Sequence, residues 1–393
     1  MKNKIHYYTD NLRCGGSEQM LTCLFASALI KENFQISFSF AYREEFERVM
    51  LWWWNIAGAE CPYFPLKLLS SRFYGNKLFR MVKYVCVPFD AIKIYKLLKQ
   101  IRPEILVINS GGYPGPISCQ AAVLAGRMAK VKKVVYFINN LPKKRNFIQR
   151  LIEKPMDNFV SQEVDVMLSA SHAVSREIKE LFWHRAPAFR VMPNTIHSQL
   201  LVDREKVRKS LGVLPEDVLI VCVGVFEKRK GQTYLLKAFR ELVQKHGNGV
   251  VLLLVGEGKE ELALMVESID IRPVFFRKNV KDGYSYINAC DIYVQPSIAH
   301  EDFPILVLQA MSLGKPIVGT KVAGMAEQIV DWMNGLLVEP GEVKQLRDCI
   351  DYLIEKKASR QRMGMNSQRI FEEHYSYDRT MKRYVKFYKE LLE

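Results

Sequence analysis

Two residue sets in this 393-residue chain have the types and spacing for chemistry. The first lies in the segment HEDFPILVLQAMSLGKPIVGT, residues 300–320, where the acids Glu301 and Asp302 precede Pro304 and the amide Gln309 follows eight residues after Glu301. A carboxylate accepts hydrogen bonds from ligand hydroxyls, and an amide both donates and accepts, which suits a diol. The second is GVFEKRKGQTYLLKAF from Gly224. Gly224 and Gly231 let backbone approach a ligand closely. Arg229 and Lys230 bring positive charge to a helix start at Gln232, where unpaired N–H groups favour anions. This combination suits a diphosphate, although neither a G-x-x-x-x-G-K-[ST] loop nor a G-x-G-x-x-G turn occurs. Two further glycine loops precede helical patterns. NLRCGGSEQM sets Gly15 and Gly16 before Ser17 and Glu18, and NSGGYPGP begins at Asn109 and leads into a helix near Ile117. Both are places for a phosphate or a sugar to approach backbone. The eight cysteines stand singly with no C-x-x-C pair, which supports neither a zinc site nor a disulfide framework.

The elements that must position these residues alternate between strand and helix. KIHYYT, FQISFSF, EILVIN, VKKVVYFI and VDVMLSAS are the apolar strands of the first half, with helical patterns at 16–30, 116–129 and 173–183. VLIVCVGV, VVLLLVG, PVFFRK, DIYVQPS and KPIVGT are those of the second, with helices at 232–246, 259–268, 303–313 and 342–356. Continuous apolar strands alternating with helices predict parallel sheets covered on both faces, hence two doubly wound α/β domains. Pro193 and Asn194 in VMPNTIH mark the boundary. The expected division is 1–195, 196–374, and a terminal helix at 375–393. That helix carries Met381, Tyr384, Val385, Tyr388 and Leu391 at helical spacing and must bury that stripe. Ligands in such folds bind at the carboxyl ends of strands, so a cleft between facing domains is the expected site.

The net charge of +15 is concentrated in the first half. Residues 1–195 carry 28 basic and 15 acidic side chains, and the remainder 29 and 27. Residues 51–102, with nine basic and two acidic groups among LWWW, FPLKLLSSRFYGNKLFRMVKYV and IYKLLKQIR, suit an anionic membrane face. No nucleic-acid motif accompanies them. There is no apolar run of membrane-spanning length and no signal-peptide core near the amino terminus. The expected location is cytoplasmic, peripheral on the inner face of the cell membrane.

Taken together, these segments resemble glycosyltransferase family 4, the retaining GT-B enzymes. MPNTIH resembles the family's hinge, VGVFEKRKG its phosphate loop and LLVGEGKEEL the Gly-acid-Gly turn after the next strand. DIYVQPSIAHEDFPILVLQAMSLGKPIVGTKVAGMAEQI resembles the donor motif through Gly324 and Glu327, and MNGLLVEPG the segment after it. The resemblance implies a GT-B fold, with the carboxy-terminal helix crossing back to the first domain. It implies a nucleotide-sugar donor, UDP- or GDP-linked, held by the second domain and a glycolipid or lipid-linked saccharide acceptor held by the first. No metal or resident cofactor is implied. Lys230, supported by Arg229, neutralises the leaving diphosphate, and Gly16 approaches the phosphates. Glu301 faces the donor sugar, Phe303, Pro304 and Ile305 present backbone groups, and Gln309 takes the ribose. Asn109, Gly111, Gly112, Tyr113 and Asn140 stand on the acceptor side. Three positions depart from the pattern: Gln309 replaces the family's second acid, Val225 replaces the usual Arg, and FINNLP offers Asn139 and Asn140 where a His is frequent. Asn139 is the catalytic candidate there. A nucleotide-sugar epimerase and a catalytically inactive GT-B binding partner are the alternatives.

Overall fold

Runs of β-branched and aliphatic residues, buried on both faces, build two fully parallel sheets in the computed structural model of the chain. The structure describes residues 2–12, 14–73, 83–142, 145–182, 187–197, 203–278, 283–299 and 301–393. It divides into two units, one comprising Met1–His197 with Tyr377–Glu393 and the other Ser198–Ser376.

The first unit has seven strands: β1 (Asn3–Thr9), β2 (Phe34–Ala41), β3 (Tyr63–Leu66), β4 (Ile105–Ser110), β5 (Lys133–Ile138), β6 (Val166–Ser169) and β7 (Ala188–Val191). Their order is β3-β2-β1-β4-β5-β6-β7. The order reverses between β1 and β4, which pair with Thr9 opposite Asn109. The loops after these two strands therefore diverge and leave a crevice at their carboxyl ends. β3 and β7 are edge strands of four residues, too short and too exposed for alternation to reveal them in the sequence. Pro65 inside β3 is tolerated because an edge strand can leave one side unpaired.

The terminal helix, Tyr377–Leu392, belongs to this unit. Its stripe of Met381, Tyr384, Val385, Tyr388 and Leu391 is buried with β1 and β2 side chains. The Tyr388 and Tyr7 hydroxyls share a hydrogen bond of 2.8 Å, and the Tyr388 ring meets Phe34 edge-on. The helix expected over 16–30 is two helices, Gly16–Ala26 and Ala28–Asn33. Ser27 divides them because its extended backbone lets the hydroxyl accept from the Ile30 N–H and cap the second helix.

The second unit has six strands: β8 (Val218–Val223), β9 (Val250–Val255), β10 (Val274–Arg277), β11 (Ile292–Gln295), β12 (Ile317–Thr320) and β13 (Gly335–Val338). Their order, β10-β9-β8-β11-β12-β13, reverses between β8 and β11. The loop after β8 is GVFEKRKG and the loop after β11 leads into Glu301. The two chemically suggestive segments thus leave the sheet at one switch point. The helix after Glu301 runs Ile305–Ser312, beginning two residues later than the apolar pattern suggests because Pro304 fits the cap and not the residues before it.

Candidate functional site

In the second unit the site is built by three loops stitched together. Gly231 closes the β8 loop with φ of +73°, and a Cβ there would lie 1.9 Å from the Pro296 carbonyl oxygen of the β11 loop. The Ile298 N–H donates to the Arg229 carbonyl at 2.8 Å, so the β8 and β11 loops are fixed to each other. On the other side the Phe226 N–H donates to Glu257 O at 2.9 Å, and Gly258 passes so close to Phe226 that a Cβ would sit 2.4 Å from its carbonyl. Glycine is required at 231 and 258 by approach of backbone to backbone.

This framework brings Lys230, Arg229 and Glu301 together. The Lys230 ammonium pairs directly with Glu301 Oε1, and the Arg229 guanidinium lies 3.6 Å from the same oxygen. Arg229 also holds Glu227 at 2.8 Å. Lys230 and Glu301 are largely buried, whereas Arg229 is half-buried. The sequence gives Lys230 and Glu301 separate duties, and the structure makes them partners. Two cations are thus gathered at the start of the Gln232–His246 helix, each held by a carboxylate. An arriving diphosphate finds both cations in place, with Glu301 as the group it competes against.

A hydrogen-bond chain that the sequence reading missed orients Glu301. The Tyr293 hydroxyl donates to Gln295 Oε1 at 2.6 Å, the Gln295 amide donates to Ser297 Oγ at 3.0 Å, and Ser297 donates to Glu301 Oε1 at 2.9 Å. Thr320 on β12 donates to the Ser297 carbonyl. All four supporting side chains are buried, and burial pushes the Tyr293 phenol well above its usual range, so it remains a donor. The signal was the polar alternation of Tyr293, Gln295 and Ser297 at the end of an apolar strand.

The other expected residues of this unit are placed as follows. Phe303 is buried with its ring against Tyr375 at 5.3 Å, and Ile305 is buried. The Pro304 carbonyl accepts from the Gln328 amide at 3.2 Å. Gln309 is buried on the Ile305–Ser312 helix, and its Oε1 has no hydrogen-bond partner among the described residues. A buried amide oxygen without a donor is costly unless a ligand or water supplies one. Val225 is exposed, and its carbonyl accepts from the Gln232 amide at 3.1 Å. His300 lies outside the described residues.

In the first unit Gly16 opens its helix, and the buried Glu18 carboxylate accepts from the Gly15 N–H at 3.0 Å, from Ser17 at 2.8 Å and from Asn11. Asn11 in turn accepts from the Gly111 N–H at 2.9 Å, joining the β1 and β4 loops. Asn109 is buried and its oxygen accepts from the Asn139 amide at 2.8 Å, while the Asn109 amide nitrogen and the Asn139 oxygen have no partner among the described residues. Asn140 accepts from the Leu141 N–H, turning its own loop, and Gly112 packs near Leu141. Tyr113 is not on a surface: it is buried, its hydroxyl donates to Asp157 at 2.8 Å, and Arg145 covers its ring. Sequence reasoning also missed Asp10, a buried carboxylate held by Arg43 at 2.6 Å and by Ser118.

Away from both loop systems, His246, Asp351 and Glu355 gather their ligand atoms. Lys245 already pairs with both carboxylates at 2.6 Å, so the cluster is an ion-pair network on the surface.

Residues 203–370 match the family described as Glycosyl transferases group 1. An uncharacterized glycosyltransferase of Haemophilus influenzae is 24% identical over 376 residues, covering 94% of this chain and 96% of that one. Another uncharacterized glycosyltransferase, from Methanocaldococcus jannaschii, is 27% identical over 189 residues, and there the match spans 47% of this chain and about half, 48%, of the relative. Among solved structures, Anabaena HepE in complex with UDP superposes with a TM-score of 0.80 at 18% identity, over 98% of this chain and 100% of that one. The fold is that of the GT-B glycosyltransferases, two Rossmann-like domains. The segment that matches the Glycosyl transferases group 1 family coincides with the unit that holds Lys230, Glu301 and Gln309.

Proposed function

We propose that the protein is a retaining, metal-independent hexosyl- or glycosyltransferase. It takes a sugar from a UDP- or GDP-linked donor and passes it to a lipid-linked or saccharide acceptor in cell-surface polysaccharide or glycolipid synthesis. One observation carries this reading: the two cations Lys230 and Arg229 converge on a single carboxylate at the switch point of a parallel sheet, beside a helix start. In the transfer, the bond between the sugar's anomeric carbon and the diphosphate breaks. The acceptor oxygen bonds to the same carbon on the same face, and its proton passes to the departing diphosphate. Lys230 and Arg229 stabilise the charge that grows on the departing diphosphate, a site-preorganised electrostatic effect. Glu301, released from Lys230, accepts hydroxyls of the donor sugar, and the unpartnered oxygen of Gln309 accepts a ribose hydroxyl. Phe303, Pro304 and Ile305 contribute backbone groups, and Gly16 serves the donor phosphates. Asn109, Gly111, Gly112, Asn139 and Asn140 serve the acceptor, and Tyr113 supports their loop from beneath. HepE, one of the structural neighbours, was solved with UDP, which supports a uridine or related donor here.

The site needs no resident cofactor on this reading, and the protein works at the inner membrane surface. Among the described residues no helix is long and apolar enough to cross a membrane. The test is a thermal-shift screen of UDP- and GDP-sugars, followed by product analysis with lipid-linked acceptors in the presence and absence of a chelator. Stabilisation by a nucleotide sugar and chelator-insensitive transfer with retained anomeric configuration are expected. Absence of any donor-dependent shift, or inverted product, overturns the reading.

A further inference from the structure

The charge of residues 51–102 and the tryptophans Trp52, Trp53 and Trp54 mark that stretch in the sequence as the membrane-facing one. The structure redirects attention. Trp54 is in the core against Phe25 and Phe38, and Trp52 and Trp53 are half-buried, so no exposed tryptophan cluster exists there. Lys77 and Arg80 lie outside the described residues, as do the side chains of Arg72 and Lys83.

In the first unit an exposed apolar cluster lies instead on the helix Phe147–Glu163, which packs on the face of the first sheet opposite the terminal helix. Phe147, Ile148, Leu151 and Ile152 are 81%, 66%, 64% and 53% exposed. Four large apolar side chains within six residues are more than the scattered exposure of an ordinary surface. Charge decides what covers them. Arg150 and Lys154 are exposed among them. The helix's acids in the same turns face inward: Glu153 pairs with Arg145 at 2.8 Å, and Asp157 pairs with Arg145 and accepts from Tyr113. The outer face of the first three turns is therefore apolar and basic, with both acids turned inward onto Arg145. On the same sheet face, beyond the intervening helix Ile117–Met128, the helix Cys86–Ile101 repeats the composition, exposing Phe89 and Ile92 with Lys93, Lys96 and Lys99. A second copy of this face would set like charges together. An anionic bilayer takes the apolar side chains into its acyl boundary and the cations at its headgroups.

We propose that the amino-terminal half of the Phe147–Glu163 helix inserts shallowly into an anionic lipid surface, with Arg150 and Lys154 at the headgroups. This deepens the membrane-surface part of the functional reading by naming the residues and by making attachment insertive and not merely electrostatic. Salt separates the two, because it screens surface charge and does not weaken apolar burial.

The experiment is co-sedimentation of the full chain with phosphatidylcholine vesicles and with phosphatidylcholine–phosphatidylglycerol vesicles, at low and high salt. Wild type, Phe147→Ser/Leu151→Ser and Lys93→Glu/Lys96→Glu/Lys99→Glu are compared. Wild type is expected to favour the anionic vesicles and to keep part of its binding at high salt. Phe147→Ser/Leu151→Ser should lose about tenfold or more in partitioning, with all remaining binding released by salt. Both substituted side chains are exposed, and an unchanged melting temperature confirms the fold. Wild-type-like partitioning of Phe147→Ser/Leu151→Ser, or complete release of wild type by salt, overturns the proposal. So does a wild-type dimer that this variant dissociates in the absence of vesicle binding, since a second copy would then be the occupant. UDP- and GDP-sugar thermal shifts on the same proteins test the donor reading separately: loss of those shifts in every protein strikes the transferase reading and leaves the lipid result standing.

Discussion

At the scale of single residues, the Lys230–Glu301 pair yields the sharpest expectations. Lys230→Ala removes a charge-assisted contact worth roughly 1.5–3 kcal/mol, so nucleotide-sugar affinity or turnover should fall about 10–100-fold. Glu301→Gln separates two roles. With no carboxylate to compete, Lys230 and Arg229 should bind free UDP or GDP at least as tightly as in the wild type, while sugar transfer falls. Titration calorimetry and a transfer assay check the two arms, and weakened nucleotide binding would show that Glu301 orients the cations instead of opposing the phosphate. Gln309 gives a third expectation. Its buried oxygen awaits a donor, so Gln309→Ala should weaken donor binding by about tenfold, one hydrogen bond. Gln309→Glu should preserve or improve it, and loss of binding in Gln309→Glu would reassign the position to packing.

At the scale of elements, the loops depend on close backbone approach. Gly231→Ala forces a left-handed alanine and a Cβ 1.9 Å from the Pro296 carbonyl. Gly212 has a similar φ of +67° but open space around it. Gly212→Ala should therefore cost about 1 kcal/mol of conformational strain, whereas Gly231→Ala should cost several times that and separate the β8 and β11 loops. Denaturant unfolding of the two variants measures the difference, and equal costs would refute the close-packed loop. The terminal helix is held by apolar burial and by the Tyr7–Tyr388 hydrogen bond. Tyr388→Ala removes a fully buried ring and should destabilise the first unit by about 3–5 kcal/mol.

At the scale of the whole molecule, buried ionisable groups set the pH range of stability. His6 is fully buried between Ser37 and Ser39, its ring nitrogens 2.8 and 2.7 Å from their hydroxyls, and burial lowers its pKa from 6.5 to about 3. The folded pKa lies below the unfolded one, so between pH 6.5 and about 3 the unfolded chain takes up a proton that the folded chain refuses. Stability then falls with falling pH by about 1.4 kcal/mol per unit. Asp10 and Glu18 act in the opposite sense, because burial raises their carboxyls above the usual range despite Arg43 and Asn11. Their penalty appears as pH rises above the ordinary carboxylic range. His6→Gln keeps hydrogen-bonding capacity without titrating. Its stability should fall less than that of the wild type between pH 7 and pH 5, by roughly 2 kcal/mol. Identical urea midpoint shifts in the two proteins would place the acid sensitivity elsewhere.

The sequence determined the two parallel α/β domains, because continuous apolar strands alternating with amphipathic helices have few other ways to be buried. Many weak motifs in one order carried the resemblance to the glycosyltransferases as well, and residues 203–370 match that family's model. The terminal helix's buried stripe was legible from its spacing, and the basic bias of the first half from counting. The tertiary structure decided what depends on encounters between distant residues. Alternation cannot reveal four-residue edge strands such as β3 and β7, whose partners do much to define them. No local pattern shows that Lys230 meets Glu301 across 71 positions, or that Ser297 and Tyr293 support that carboxylate, because the contact exists only where the strand order reverses. Tyr113, an acceptor-side residue by resemblance, and Trp54, in the aromatic group of the basic stretch, are buried by packing. The sequence reading made nothing of Phe147–Ile152, and only the fold shows these side chains facing solvent while Arg145 turns the neighbouring acids inward.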